Sequence, residues 1–484
     1  MSSCLKTLKP NSLWKHFEEF LKIPRCSGNE KAIGDYIISV AKDLDLEWKR
    51  DDIGNIVISK KSSPGLENAE GVILQGHMDM VCEKNSDVDH DFTKDPIKAE
   101  IKGEWVKAIG TTLGADNGIG DCAALAILED NTLIHPPLEC LFTIDEERGL
   151  IGASRIQPGF LKGKRLLNLD SEDEGEFTIG CAGGADSQID FPLEREKCSK
   201  GKTYKVKIYG LKGGHSGVDI NKGRANAIKI LSRLLLQMSN EIQFNLVSID
   251  GGNLRNAIPR EAWACLILEP EQKDIFSSMF QKEFESAKNE YKAVETEVSF
   301  SIEEQEHVIE DPLTKETQET LIKLLSDIPH GVISMHAEMK DLVETSTNLA
   351  VVRTMKNSAQ IICSTRSSVV SALESTRNSI AEISKSVGAK IIQEEGYPGW
   401  TPNLQSLLLK TLKEVYKKTF NKDGNIAAIH AGLECGIIGE KFQGMDMISF
   451  GPTIKNPHSP DERVHIGTVE KFWEFLTKSL AALG

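Results

Sequence analysis

The sequence predicts an α/β protein with a mostly parallel sheet, interrupted by an inserted α+β domain. Three observations predict it. Short apolar runs alternate with helical stretches through the first third of the chain. From about Asp186 the strands change to polar–apolar alternation. After Gly396 the first texture returns, and the acidic and histidine residues at strand ends, which stop at Asp170, resume at His458. Residues 1–187 and 394–484 are therefore expected to form one domain, with 188–393 as the insertion.

Each element follows from its pattern. Leu13–Leu21 carries Trp14, Phe17, Phe20 and Leu21 at helical spacing, and Lys31–Leu44 repeats that spacing. Asn55–Ser59, Gly71–Gln75, Leu138–Ile144 and Arg165–Leu169 are short apolar runs of the kind found in buried strands. Gly118–Leu128, rich in Ala, Leu and Ile, reads as a buried helix. In the insertion, Lys202–Tyr209, Ala262–Leu268, Glu295–Ile302 and Gln360–Thr365 read as half-exposed strands. Gly223–Met238, Gln272–Tyr291, Thr317–Leu325 and Ser371–Val387 read as helices covering one face of that sheet. Leu404–Thr419 is a predicted helix, Met445–Ser449 a strand and Val469–Leu483 a closing helix.

Composition narrows the function. A net charge of −15 over 484 residues argues against non-specific binding to nucleic acid or to an anionic membrane. No run approaches the roughly 20 apolar residues of a membrane span, and the N-terminus does not read as a signal peptide. Ten cysteines without a CxxC spacing read as reduced thiols of a cytoplasmic protein rather than a disulfide framework.

The chemistry gathers at strand ends. In GVILQGHMDM, His77 and Asp79 lie two residues apart and point to one side of an extended segment. Such a pair suits a metal-binding imidazole held by a carboxylate; taken alone, it reads more readily as a turn-capping Asp beside a surface His. Asp116, between Gly114 and Gly118, reads as a helix cap or as an acidic bridge between two cations. Asp145, Glu146 and Glu147 end an apolar strand, where adjacent carboxylates repel one another unless cations or solvent intervene. Asp170 ends another strand; Glu172, Asp173 and Glu174 read as a solvated loop. His458 sits in a loop bracketed by Gly and Pro, with His465 following. Two His with several carboxylates and no thiolate suit a pair of divalent ions, zinc first, with cobalt or manganese as alternatives.

The strings GHMDMV, LGADNGIG, DEERGLIGA, NLDSEDEG and GPTIKNPHSPDERV resemble those of the M20 co-catalytic metallopeptidases, and within them the aminoacyl-histidine dipeptidases. IPRCSGNE, GGHSGVDI, NLRNAIPREA and HAGLECGII extend the likeness over nearly the whole chain. Cys26 stands where that family often has Pro. The resemblance implies a zinc-peptidase-like catalytic domain with an inserted lid. It implies that His77, Asp116 and Asp170 hold one ion and that Asp116, Glu147 and His458 hold the other. Asp79 would orient His77, and Glu146 would be the general base acting on a bridging water. His215 would reach over the site as an oxyanion donor; its other reading is a histidine in a glycine turn. Asn256, Arg366, His430 and Gly432 would bind substrate, with Arg366 offering a planar fork to a carboxylate; each also has a structural reading. The implied protein is a cytoplasmic homodimer acting on dipeptides, Xaa-His types among them. Whether His215 serves its own chain or a dimer partner is open at this level. An N-acyl amino acid deacylase and a catalytically silent metal-binding homologue are the competing readings.

Overall fold

A computed structural model describes residues 5–197, 200–305 and 310–484. The backbone forms two compact units: Met1–Cys181 with Trp400–Ala428 and Leu433–Gly484, and Ala182–Gly399 with Ile429–Gly432. Ile429–Gly432 belong to the second unit rather than to the C-terminal segment around them.

The first unit is built on an eight-stranded sheet in the order Glu47–Arg50, Ile56–Lys60, Leu138–Thr143, Val72–His77, Arg165–Asn168, Asp446–Ser449, Glu176–Cys181 and Asn425–Ile429. The four central strands, Leu138–Thr143 through Asp446–Ser449, run parallel. The flanks do not: Glu47–Arg50 with Ile56–Lys60, Ile56–Lys60 with Leu138–Thr143, and Asp446–Ser449 with Glu176–Cys181 are antiparallel. The sheet thus has a parallel centre and antiparallel flanks. The tight connection from Arg50 to Ile56 is a hairpin, and a hairpin cannot join parallel neighbours.

Helices Asn11–Phe20, Lys31–Asp43, Ala115–Glu129 and Ile466–Ala482 contribute to the core of this unit. Trp14, Phe17 and Phe20 are almost fully buried, each contributing roughly 1.5–3 kcal/mol of apolar burial. From Asn117 to Leu128 every residue of the third helix is buried, as its Ala-, Leu- and Ile-rich sequence predicts. Its last carbonyls would lack partners, but the buried Lys60 ammonium donates to the carbonyls of Ile127, Leu128 and Asp130. A smaller four-stranded sheet joins Ala99–Lys102, Trp105–Ala108, Arg463–His465 and Ile454–Lys455. In it Ile454 pairs with Val464 and Lys455 with Arg463, so residues 456–462 form a hairpin loop that carries His458. His465 caps the closing helix by accepting the Thr468 N–H.

The second unit holds a nine-stranded sheet whose paired strands run antiparallel. Along Ala262–Leu268 buried and half-exposed residues alternate, as expected when one face packs against helices. The second core draws on helices Ala227–Ser239, Lys273–Tyr291, Lys315–Asp327 and Val370–Ser386.

One expectation is overturned outright. Cys26 and Cys82 form a disulfide, their Cα atoms 5.7 Å apart. Cys26 pairs with Met80 through a parallel backbone bridge, which brings two cysteines 56 residues apart side by side. The other described cysteines are free, and all but Cys265 are buried.

Candidate functional site

Parallel strands deliver their C-terminal ends to one edge of the sheet, where ligands of open α/β sheets bind. In register, His77 faces Thr143 and Gln75 faces Asn168. Three adjacent strands therefore present His77, the Asp145–Glu147 turn and Asp170 at one level. The fourth, Asp446–Ser449, leads toward the hairpin of His458. Asp116 comes from the first turn of helix Ala115–Glu129, with non-helical backbone angles and with Gly114 before it in the left-handed region.

The side chains converge. His77 Nε2 lies 3.2 Å from Asp116 Oδ1 and 3.5 Å from Asp170 Oδ1. His458 Nε2 lies 3.2 Å from Asp116 Oδ2 and 3.2 Å from Glu147 Oε2. The two oxygens of Asp116 thus face two different donor trios, His77–Asp116–Asp170 and Asp116–Glu147–His458, each compact enough to hold an ion. Glu147 Oε1 is buried without a hydrogen-bond partner, as a carboxylate reserved for a cation would be. Glu146 groups with His77 and Glu147. Imidazole and carboxylate donors without thiolate fit a pair of divalent ions.

Asp79 organises the turn. Its carboxylate accepts the N–H groups of Glu146 and Glu147 and the Ser27 hydroxyl, and it lies 3.4 Å from His77 Nδ1. Burial would raise its pKa, but His77 and these donors hold it at about 2. Glu146 is pushed well above the usual carboxylate range by burial, then by Asp170, Glu147 and Glu434, against the pull of His77. Burial lifts Asp170 to about 7. Hydrogen bonds donated by the ring to Asp116 and Glu147 lift His458 to about 11. His77 is also raised: burial opposes its charge, but Asp170, Asp116 and Asp79 outweigh it.

In the second unit, His215, Arg366 and His430 are electrostatic neighbours. Nδ1 of His215 accepts the N–H groups of Gly217 and Val218, so the proton of the neutral ring sits on Nε2. Burial and the Arg366 charge lower its pKa. Burial, then Arg366, brings His430 down to about 4, and its Nε2 meets the Ser346 hydroxyl at 2.7 Å. Gly217 packs so closely on the His430 carbonyl that any side chain there would collide with it. Arg366 is buried and donates to the Tyr397 hydroxyl. Gly432 follows two residues after His430 and is half-buried. Asn256 is exposed; its carbonyl accepts the Ser216 N–H beside His215.

Sequence reasoning missed several groups. Glu434 accepts from Gln75 and Thr143, and Gln75 accepts in turn from Asn168. This buried polar ladder links the three strands just before the ends from which His77, the Asp145–Glu147 turn and Asp170 follow. Glu434 is raised to about 7 by burial. Glu172, read as solvated, is half-buried and is lifted to about 8 by burial, then by Asp116 and Asp170. Glu174 is likewise half-buried and accepts the Tyr416 hydroxyl, whereas Asp173 is exposed as expected. Buried Arg25 donates to the carbonyls of Met78, Asp79 and Gly114. Glu434, Arg25 and Glu462 all lie inside the strings HAGLECGII, IPRCSGNE and PHSPDERV, which were the available signal.

A family model described as peptidase family M20/M25/M40 matches residues 73–482. The chain belongs to that family. It is 43% identical over 479 residues to the cytosol non-specific dipeptidase of Escherichia coli (strain K12), covering 98% of both chains. The crystal structure of an aminoacylhistidine dipeptidase from Vibrio alginolyticus matches with a TM-score of 0.92 and 43% identity, over 99% of this chain and 98% of that one. The aminopeptidase PepT from Bacillus cereus matches at TM-score 0.58 and 14% identity, over 98% of this chain and 99% of that one, a likeness of fold alone. Membership of the M20 family agrees with the strand-end donor set. Among the described residues, no helix is long and apolar enough to cross a membrane.

Proposed function

We propose that this M20-family chain is a metal-dependent dipeptidase that hydrolyses unblocked dipeptides, Xaa-His types included. The observation that carries this reading is the pair of donor trios sharing Asp116, with Glu146 beside them. A full-length relative at 43% identity, named a cytosol non-specific dipeptidase, supports the substrate class and a cytoplasmic location. In this reading His77, Asp116 and Asp170 hold one divalent ion, and Asp116, Glu147 and His458 hold the second. Zinc suits the donors best, with cobalt or manganese as alternatives.

When bound, such ions supply a water of lowered pKa and polarise the scissile carbonyl. Glu146 takes the proton of the attacking water and passes it to the leaving amine. Asp79 fixes the His77 ring and the backbone of the Glu146–Glu147 turn. His215 offers its Nε2 proton to the developing oxyanion. Arg366 pairs with the free carboxylate of the dipeptide, and Asn256, His430 and Gly432 complete the substrate contacts. The proposal includes a homodimer; strand Gly331–Met335 exposes Val332, Ile333 and Met335.

Ala-His hydrolysis by metal-free protein, before and after zinc is restored, tests the reading. Turnover returning only with zinc supports it. Cleavage of an acetylated amino acid in preference to Ala-His would favour the deacylase, and absence of turnover on both would favour the silent homologue.

A further inference from the structure

The loop that carries Asp116 is held from two sides by two buried residues of opposite charge, and each tie leads to a different donor trio. Glu462 is 2% exposed. Its carboxylate accepts four consecutive backbone N–H groups: Leu113 at 2.7 Å and Gly114 at 3.0 Å on Oε2, Ala115 at 2.7 Å and Asp116 at 3.3 Å on Oε1. These are the N–H groups at the start of helix Ala115–Glu129, which its cap residue, Gly114, has no side chain to satisfy. Glu462 lies in the same hairpin loop as His458, and its own N–H is bonded to the Ser459 carbonyl. One carboxylate thus ties the Asp116 loop to the His458 loop. On the other side, Arg25 grips the Gly114 carbonyl together with the carbonyls of Met78 and Asp79, next to His77.

We propose that Glu462 is a positioning residue that sets Asp116 against His458 and so governs the affinity of the Asp116–Glu147–His458 subsite selectively, while Arg25 keeps Asp116 in place for the His77–Asp116–Asp170 subsite. The inference rests on the metal reading above. The reasoning is geometric. His77 and Asp170 stand at the ends of central strands and do not depend on the hairpin. His458 reaches Asp116 from a loop whose direct tie to the Asp116 backbone is Glu462. An amide at position 462 keeps the size but turns an NH2 group toward backbone N–H groups, so the loops separate on that side. Groups that orient metal ligands from behind typically account for 10–100-fold in affinity.

The test is a zinc titration of metal-free wild type and Glu462→Gln against a chromophoric chelator, with thermal unfolding of the metal-free forms alongside. Glu139→Gln is the control: Glu139 is also a buried carboxylate that accepts two backbone N–H groups, of Lys162 and Gly163, but on no ligand loop. The expected result is one of two zinc steps weakened about 10–100-fold in Glu462→Gln and the other within about threefold, with both steps unchanged in Glu139→Gln. Equal weakening of both steps, or lowered thermal stability with both affinities intact, overturns the inference. Wild type that binds fewer than two equivalents overturns the metal reading, and the inference with it. Should Glu462→Gln fail to fold, Glu462→Asp keeps the charge on a shorter arm and must show the same one-sided loss to a smaller degree; unaltered affinity for both ions in Glu462→Asp then overturns the inference.

Discussion

Asp116 and His458 are 342 residues apart in the chain, yet His458 Nε2 stands 3.2 Å from Asp116 Oδ2. The other oxygen of the same carboxylate stands 3.2 Å from His77 Nε2. A shared carboxylate makes the two donor trios interdependent. Asp116→Ala should therefore abolish retention of both ions. Asp170→Ala leaves the Asp116–Glu147–His458 trio whole and should keep about one ion per chain. Elemental analysis of the purified variants distinguishes these outcomes, and equal loss in both would break the bridging assignment.

Glu146 and Glu147 are adjacent, but only Glu147 faces His458. Glu146→Gln should lower kcat by about 10²–10⁴-fold, the usual contribution of a general base, with metal content near wild type. Glu147→Gln should lose metal as well as activity. Matching zinc loss in both variants would mean that the division of roles is wrong.

The raised pKa values of His77 and His458 predict proton release on metal loading. His458 is lifted to about 11 by the hydrogen bonds it donates to Asp116 and Glu147, and His77 is raised well above its ordinary value. At neutral pH the metal-free rings are therefore protonated, whereas a metal binds the neutral imidazole. Protons compete with metal, so affinity rises with pH and falls on acidification. About two ring protons, and part of a further one from Asp170, which burial lifts to about 7, should leave per pair of ions near pH 7. Calorimetry in buffers of different ionisation enthalpy counts them, and a count of zero would contradict this charge state.

His215 and Arg366 should separate in kinetics. His215→Ala removes a donor to the transition state and should lower kcat by about 10²–10³-fold with metal content intact. Arg366→Ala should mainly raise KM, and more for a free dipeptide than for its C-terminal amide. Equal effects on acid and amide would remove Arg366 from carboxylate binding.

The Cys26–Cys82 pair closes a loop of 56 residues. Cys82→Ser, or reductant, should lower the unfolding free energy by about 2–4 kcal/mol. Denaturant titration with and without reductant measures it. Indistinguishable curves, with no linked peptide in a digest, would show that the two thiols stay apart in solution.

The strands that end in the candidate donors were legible from local pattern. Val72–His77, Leu138–Thr143 and Arg165–Asn168 each lie within two residues of the expected run, because strands buried on both faces read as unbroken apolar stretches. Lys202–Tyr209 and Ala262–Leu268 were read to the residue, because one solvated face imposes strict alternation. Strand Val343–Thr354 was missed. Its run of eight buried residues mixes Thr, Ser and Asn with Leu, Ala and Val, so neither signal is clean.

What local pattern could not reveal were the partners. Glu462 in SPDERV reads as one more surface acid, and only the hairpin places it under the four N–H groups of the Asp116 loop. Glu434 carries no local signal of its own, and only strand order places it against Gln75 and Thr143. Cys26 and Cys82 show no spacing that marks them as a pair. The sequence by itself determined which residues end strands, and hence which types of donor stand at the sheet edge, because burial and period are written into neighbouring positions. The tertiary structure alone decided which donor faces which, and which buried carboxylate holds which loop. Those distances join segments up to 359 residues apart, and such contacts depend on chain topology, which no local periodicity encodes.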